Sequence, residues 1–240
     1  MADWPIQCEW GPAGIWAGGA PAAVVVADVL IFSTAVAAAL DKEVLVHPYG
    51  WGDAPAAAAY ARSVGAVLAG RRGESEPSGS PRSLTRLAAG CHVVLPSPNG
   101  ATCALAAQQR GPGVQVALGA PVNAAAVARW AAAAGGPVQL VAAGERWPDG
   151  SLRPALEDWL GVGAIAAHLP WSQLGDSARA ARAAFESAQP TLAAVLAGTP
   201  SGQELIGRGF ADDVAWAAQS DRYAVVPVLG PGGYFERAWG

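Results

Sequence analysis

The feature that most constrains the fold is an alternation of short apolar runs, rich in β-branched residues, with alanine-rich stretches. Ala23–Val26 predicts a buried strand, and Thr34–Leu40 predicts the helix that follows it. The apolar runs continue at Val44–Val46, Cys91–Leu95 and Val138–Ala142. Near-continuous apolar strands separated by helices are typical of a sheet covered on both faces. We therefore predict an α/β fold with helix/sheet/helix layers and a mostly parallel or mixed sheet.

The last third of the chain has a different pattern, which is mainly helical. Leu152–Leu169 predicts a long helix, and Ser201 with Glu204 has the spacing of a capping box at the start of another. No internal repeat and no clear linker divides the chain. We expect one α/β domain over residues 1–240, with a possible helical sub-region over 151–210.

The composition excludes several classes of protein. Hydrophobic residues make up 52% of the chain and charged residues only 14%, which excludes general disorder. Fifteen basic and nineteen acidic side chains give a net charge of −4, which argues against nucleic acid or an anionic membrane as a partner. The N-terminus lacks the basic run and apolar core of a signal peptide, so we predict a cytoplasmic protein.

Polar residues are scarce, and they collect at the ends of the predicted strands. Ligands of open parallel sheets bind at the carboxyl ends of the strands, so these clusters are candidate site residues. They are Asp28 with Ser33 and Thr34, then Ser97 with Asn99 and Gly100, then Arg146, and finally Glu157 with Asp158.

The chemistry of these residue types suits a phosphorylated ligand and a hard cation. Asp28, Glu157 and Asp158 offer carboxylate oxygens, which are the ligands that Mg²⁺ prefers. Arg146 offers a guanidinium that can bind a phosphate or carboxylate by two parallel hydrogen bonds. Ordinary helix caps and turns use the same residue types, so the spacing alone leaves both interpretations open.

Five segments, in this order, resemble the 2-phosphosulfolactate phosphatase family. The resemblance implies an α/β fold, Mg²⁺ and hydrolysis of a phosphate monoester on a small acidic substrate. The segments are VVVADVLIFSTAVAAAL (24–40), VVLPSPNGATCAL (93–105), LGAPVNAAAVA (118–128), AAG followed by SLRPALEDWLGVGAI (142–165) and GFADDVAWAAQSDRYAVVPVL (209–229).

The resemblance leads to an assignment of roles, in which Asn123 joins the candidates as a polar residue of the third segment. We expect Mg²⁺ to be held by Asp28, Glu157 and Asp158, and Asp28, Arg146 and Asn99 to be catalytic. The expected substrate-binding residues are Ser33, Thr34, Ser97, Gly100, Asn123, Arg71 and Arg72.

The sequence departs from the family pattern at one informative position. Ile31 stands where the family usually has an arginine, so this part of the pocket should be more apolar and favour a less charged ester. Arg71, Arg72, Arg82 or Arg146 could compensate for the missing charge. The first three lie in the stretch 71–83, whose Gly, Pro and Ser content predicts a mobile flap over the bound anion.

Two function hypotheses follow. The first is an Mg²⁺-dependent phosphatase acting on a small anionic phosphate ester. The second is a non-catalytic small-anion binding or interaction protein on the same scaffold, for which ten tryptophans leave room for an apolar interface. Neither involves nucleic acid or a membrane, and a homodimer is left open.

Overall fold

One large mixed sheet forms the centre of the computed structural model, which describes residues 6–50, 52 and 54–238. Nine strands of the described chain lie in it, in the order β1-β7-β2-β6-β10-β11-β3-β5-β4. They are β1 (Gln7–Trp10), β2 (Ala23–Ala27), β3 (Leu45–Gly50), β4 (Val67–Leu68), β5 (His92–Ser97), β6 (Gln115–Leu118), β7 (Val138–Ala142), β10 (Pro227–Leu229) and β11 (Phe235–Arg237). A separate hairpin pairs β8 (Glu145–Arg146) with β9 (Leu152–Arg153).

Helices fill the connections and dominate the chain after residue 155. In order, they are α1 (Gly11–Ile15), α2 (Phe32–Asp41), α3 (Ala54–Ser63), α4 (Pro81–Leu84), α5 (Gly100–Gln108), α6 (Ala124–Ala132), α7 (Leu156–Ala167), α8 (Asp176–Ala188), α9 (Leu192–Gly198), α10 (Pro200–Gly207) and α11 (Ala211–Ala217). No helix in the described ranges has both the length and the apolar character needed to cross a membrane.

The sheet consists of two parallel groups joined by an antiparallel hairpin. Strands β1, β7, β2 and β6 are parallel to one another, as are β3, β5 and β4. The hairpin β10–β11 lies between the groups and pairs antiparallel with β6 on one side and β3 on the other. Three successive antiparallel pairings make the two groups run in opposite directions.

The ends of strands that are far apart in the sheet order meet, which indicates that the sheet is strongly curved. Strand β2 is third in the sheet order and β5 is eighth, so a flat sheet would separate them by about 24 Å. Yet the amide of Gly100, three residues beyond the end of β5, donates to Oδ2 of Asp28, the first residue after β2, over 2.8 Å. Helix α5 packs against β2, β3, β5 and β6. The curvature brings the residues that follow the two strands into one site.

The core is built from small apolar residues, which lets helices pack close to the sheet. All five residues of β2 are buried, and α2 is buried over Phe32–Leu40. Gly163 lies in α7 where an added Cβ would come within 2.2 Å of the Ala181 carbonyl oxygen in α8. The glycine therefore permits the close approach of α7 and α8.

The structure confirms the predicted fold class and its helix-rich C-terminal part. Two local predictions were wrong. Leu152 belongs to β9, and the long helix begins at Leu156. The residue that caps α10 is Thr199, whose Oγ1 accepts from the Gly202 amide, so Ser201 lies inside the first turn. Whether residues 151–210 form a separate sub-region stays a prediction.

Candidate active site

A cavity of about 680 Å³ opens beside the ends of β2 and β5. Its lining comes from the β2–α2 turn, from the residues after β3, β4 and β5, and from the first and last turns of α10. Charged residues divide it into two sides. The acidic side contains Asp28, Ser97, Asn99 and Glu145, and the arginine side contains Arg71, Arg72 and Arg208.

The acidic side is held together by hydrogen bonds between its side chains. Ser97 Oγ donates to Asp28 Oδ2 over 3.3 Å, and Asn99 Nδ2 donates to Glu145 Oε2 over 2.8 Å. Burial raises the pKa of Glu145, and the negative charge of Asp28 raises it further. Two carboxylates therefore share a partly buried wall, an arrangement that a bound cation would stabilise.

Asp28 is the most constrained member of this side. Its Oδ2 accepts from the Gly100 amide, and its Oδ1 accepts from the Phe32 amide over 3.2 Å. Burial nevertheless raises the pKa of this carboxyl. A Cβ at position 100 would lie 2.7 Å from Asp28 Oδ2 and 2.6 Å from Phe32 Cδ1. Only glycine allows the start of α5 to approach the carboxylate this closely.

Arg72 is a partly buried member of the arginine side. Its Nε lies 3.2 Å from Asp213 Oδ2, and its Nη2 donates to the Gly79 carbonyl oxygen over 3.1 Å. Burial lowers the pKa of this guanidinium, while Asp213 and Asp28 favour its charged form. The side chain thus faces the cavity from a fixed position, electrostatically linked to Asp28.

Of the three carboxylates predicted to hold a metal ion, only Asp28 lines the cavity, although Glu157 and Asp158 interact electrostatically with it. Asp158 Oδ1 accepts from the Val29 amide over 2.7 Å, and its Oδ2 accepts from the Gly144 amide over 2.8 Å. This carboxylate fixes the ends of β2 and β7, and burial raises its pKa well above the ordinary value. Glu157 is buried beside it, outside the cavity lining. Across residues 6–50, 52 and 54–238, no three His, Cys, Asp or Glu side chains are placed to hold a metal ion.

Three predicted substrate-binding side chains serve the scaffold instead. Ser33 Oγ accepts from the Asp28 amide over 3.0 Å, and Thr34 Oγ1 donates to the Val29 carbonyl oxygen over 2.8 Å. Asn123 Oδ1 accepts from the Ala120 amide, and its Nδ2 donates to the Val225 carbonyl oxygen. All three side chains are buried and outside the cavity lining, which corrects the predicted phosphate cradle.

Two further predicted roles need correction. The Gly100 amide donates to Asp28 and to Ser97 Oγ, so it supports the carboxylate and is not available to a phosphate. Arg146 lines a smaller neighbouring hollow of about 250 Å³, which shares Asn99 and Glu145 with the main cavity. Its guanidinium lies 3.4 Å from the carbonyl oxygens of Pro98 and Gly150, an exposed position that ties the hairpin to the β5–α5 turn.

The stretch 71–83, predicted to be a mobile flap, is fastened to the body of the molecule. Ser80 Oγ donates to Asp213 Oδ1 over 2.6 Å. The Ser78 amide donates to Ser83 Oγ over 2.8 Å, and Ser83 in turn donates to Glu76. With the Arg72–Asp213 ion pair, these contacts place the two predicted arginines at the cavity. Movement of the whole stretch would have to break its contacts with Asp213.

The lining residues that sequence reasoning missed include Glu145, Ser201 and Arg208. Glu145 could have been found, because it directly precedes Arg146 at the end of an apolar strand. Ser201 and Arg208 carried no such signal. They reach the cavity because the C-terminal helices meet the stretch 71–83, as the contact of Arg72 with Asp213 in α11 shows.

The residues of the acidic side could supply ligands to an Mg²⁺ ion. Its donors are all oxygens, namely the carboxylates of Asp28 and Glu145 with the Asn99 side-chain carbonyl nearby. Mg²⁺ is commonly held by one or two carboxylates together with water and substrate phosphates. The buried negative charge that raises the pKa of Glu145 is the kind that a divalent cation neutralises.

Comparison with known proteins agrees with this geometry. A sequence model of the 2-phosphosulpholactate phosphatase family matches residues 12–231, nearly the whole chain. The chain belongs to this family. Two curated relatives are each called a probable 2-phosphosulfolactate phosphatase: that of Thermotoga petrophila is 38% identical and that of Thermotoga maritima 36% identical, over 77 residues. The aligned part covers 32% of this chain and 34% of each relative, about a third of their length.

Proposed function

We propose that this protein hydrolyses a small anionic phosphate monoester in an Mg²⁺-dependent reaction. The observation that carries the proposal is that Asp28 and Glu145 face the same cavity as Arg71 and Arg72. Carboxylates that can hold a cation, next to arginines that can bind phosphoryl oxygens, are what such chemistry requires. Family membership over residues 12–231 supports the same reaction class.

The two sides of the cavity would have different roles. Asp28 and Glu145 would hold Mg²⁺, which when bound acts as a Lewis acid on a phosphoryl oxygen. Asn99 would orient Glu145 through its 2.8 Å hydrogen bond, and Ser97 would support Asp28. Arg72, held by Asp213, would bind the phosphoryl group in a fixed orientation, with the more exposed Arg71 as a second cation.

Apolar residues complete the cavity between the charged sides. Leu30, Ile31, Phe32 and Leu95 line it, and Ile31 and Phe32 are largely buried. Low-dielectric walls strengthen the interaction of a bound phosphate with the arginines, because fewer water molecules screen it. The cavity would therefore bind the ester partly desolvated.

Phosphate release from a panel of small phosphate monoesters, with Mg²⁺ and with a chelator, tests the proposal. We expect release that requires Mg²⁺ and that is lost in Asp28→Asn. Asp176→Asn, at a fully exposed carboxylate on α8, should retain wild-type activity. Binding of esters with no release under either condition would instead favour the non-catalytic anion-binding alternative.

A cytoplasmic location and a homodimer stay predictions.

A further inference from the structure

The part of the cavity next to α3 has no role in the proposed chemistry. Its lining comes from β3, α3, β4 and β5, which contribute Tyr49, Ala54, Ala57, Leu68 and Pro96. We call these residues the apolar recess. Among the lining residues that the structure describes, the charged ones belong to other elements: the β2–α2 turn, the β8–β9 hairpin, the stretch 71–83, and α10 with the residue that follows it. The recess is therefore an uncharged side of a cavity that is otherwise strongly charged.

Strand pairing places three members of the apolar recess on one face of the sheet. Tyr49 of β3 pairs with Pro96 of β5. Leu68 of β4 pairs with Val94, which lies two residues before Pro96. Paired residues of neighbouring strands, and residues two apart in one strand, point to the same face. Helix α3 covers this face, since it packs against β4 and β5, and the centre of the Tyr60 ring lies 5.6 Å from that of Tyr49.

The surface beneath α3 is only partly covered by the protein itself. Ala57 lies one helical turn before Tyr60, on the same side of α3, and presents only a methyl group to the cavity. Tyr49, Leu68 and Pro96 are each partly exposed where they line the cavity. Because apolar surface gains free energy when it leaves water, these side chains favour an apolar group of a ligand at this place.

The size of the cavity and the position of its arginines indicate which group this is. A phosphate with Mg²⁺ and its water ligands would occupy roughly 250 Å³, at about 30 Å³ for each water-sized group. More than half of the cavity, which measures about 680 Å³, is then left for the organic part of the ester. Arg71 lies three residues after Leu68, so the arginines proposed to bind the phosphate adjoin the recess. An ester held by them brings its organic part next to Leu68.

We infer that the apolar recess binds an alkyl or aryl group on the alcohol part of the phosphate ester. This inference rests on the proposed function and specifies its substrate as a monoester whose organic group is apolar at this end. It does not depend on Ile31, which lies on the β2–α2 turn. A charged group in the recess would lose its hydration without gaining an oppositely charged partner among the recess residues.

Primary alkyl phosphates provide the test, because their leaving groups are chemically alike and only the chain length changes. We expect the wild-type kcat/KM to be about 10-fold higher for butyl phosphate than for ethyl phosphate, at about threefold for each added methylene. The ester 4-phosphooxybutanoate, in which a carboxylate replaces the terminal methyl group of butyl phosphate, should be a poorer substrate than butyl phosphate. A higher kcat/KM for the carboxylate ester, or no dependence on chain length, would overturn the inference.

Two variants alter the apolar recess in different ways. Leu68→Ala removes apolar contact area and should reduce the ratio of kcat/KM for butyl and ethyl phosphate about threefold. Ala57→Leu fills the recess and should bring this ratio close to one. Ala59→Leu makes the same change at an exposed position of α3 outside the cavity lining, and it should leave the ratio unchanged. Circular dichroism shows whether Ala57→Leu is folded, and Leu68→Ala carries the test if it is not. An unchanged ratio in either folded variant would contradict the recess.

A binding experiment separates failure of the apolar recess from failure of the proposed function. Hydrolysis of every alkyl phosphate at the same efficiency would leave the function standing and overturn the recess. Should no ester be hydrolysed, the proposed function is wrong, and calorimetry with ethylphosphonate and butylphosphonate in the presence of Mg²⁺ replaces kinetics. The recess then predicts about 10-fold tighter binding of butylphosphonate, and a smaller difference in Leu68→Ala. Equal affinities of the wild-type protein for the two phosphonates would overturn the recess independently of catalysis.

Discussion

The acidic side and the arginine side of the cavity are built in different ways. Asp28 and Ser97 lie at strand ends, are buried, and are fixed by hydrogen bonds between the two strand ends, such as that of the Gly100 amide to Asp28. Arg71 and Arg72 lie on an irregular stretch after β4, and Arg208 follows α10. Arg72 is fixed by a local hydrogen bond to Gly79 and by its contact with Asp213 in the C-terminal part of the chain. The difference separates residues that can bind a cation from residues that can select the anion.

The largest effect is expected on the acidic side, from Asp28→Asn. The substitution removes the charge that would hold Mg²⁺, and it can place an amide N–H against the donating amides of Gly100 or Phe32. Activity should fall at least about 100-fold, while circular dichroism shows a folded protein. Mg²⁺-dependent activity within a few-fold of wild type would remove Asp28 from the site.

On the arginine side, Arg72→Gln should affect stability as well as activity. The substitution breaks the ion pair between Arg72 and Asp213, whose side chains are 18% and 5% exposed. It leaves the Asp213 carboxylate without a positively charged partner. We expect a loss of about 2–3 kcal/mol in the free energy of unfolding, measured with urea.

The double variant Arg72→Gln, Asp213→Asn separates the two contributions. Removal of the unpaired carboxylate should recover most of the lost stability, but activity should stay low, because no guanidinium faces the phosphate. Recovery of activity together with stability would mean that Arg72 acts only through the fold.

A third variant, Asp158→Asn, tests whether the buried carboxylates belong to the scaffold. An amide can accept from only one of the Val29 and Gly144 amides that now donate to Asp158. We expect a loss of about 1–3 kcal/mol in stability and an unchanged Mg²⁺ concentration for half-maximal activity. A large shift in that concentration would return Asp158 to the metal site.

The smallest effect concerns His47, on the strand that ends at the cavity next to Tyr49. Its Nε2 lies 2.9 Å from His92 Nδ1, and burial, with His92, lowers its pKa. A lowered pKa in the folded state means that folding favours the neutral form of the histidine. Its contribution to folding stability is therefore fully present above the ordinary pKa of about 6.5 and is lost as the pH falls below that value. Urea unfolding at pH 7.5 and 5.5 should show this loss, and His47→Gln should reduce it. The same pH dependence in the variant would contradict this assignment.

Much of the fold and three of the four members of the acidic side could be predicted from local sequence patterns. The strand-end rule found Asp28, Ser97 and Asn99 because apolar strands are easy to identify. The metal-binding role of Glu157 and Asp158 stays a prediction, since a carboxylate at a helix start can equally accept backbone amides, as Asp158 does for Val29.

The arginine side could be predicted only in part. Composition drew attention to Arg71 and Arg72, but nothing local connects them with Ser201 or Arg208, more than a hundred residues away. These residues come together through tertiary packing and through the curvature of the sheet, which the spacing of apolar residues along the sequence does not predict. The same curvature brings the ends of β2 and β5 together although the two strands run in opposite directions.

The central claim is that the cavity between the two sides binds a cation and a phosphate together. A crystal structure with Mn²⁺ in place of Mg²⁺ and inorganic phosphate, using the anomalous signal of the metal, tests it most directly. We predict the metal at Asp28 and Glu145, with phosphate between it and Arg72. Metal bound at Glu157 and Asp158, or phosphate in the neighbouring hollow beside Arg146, would contradict the account.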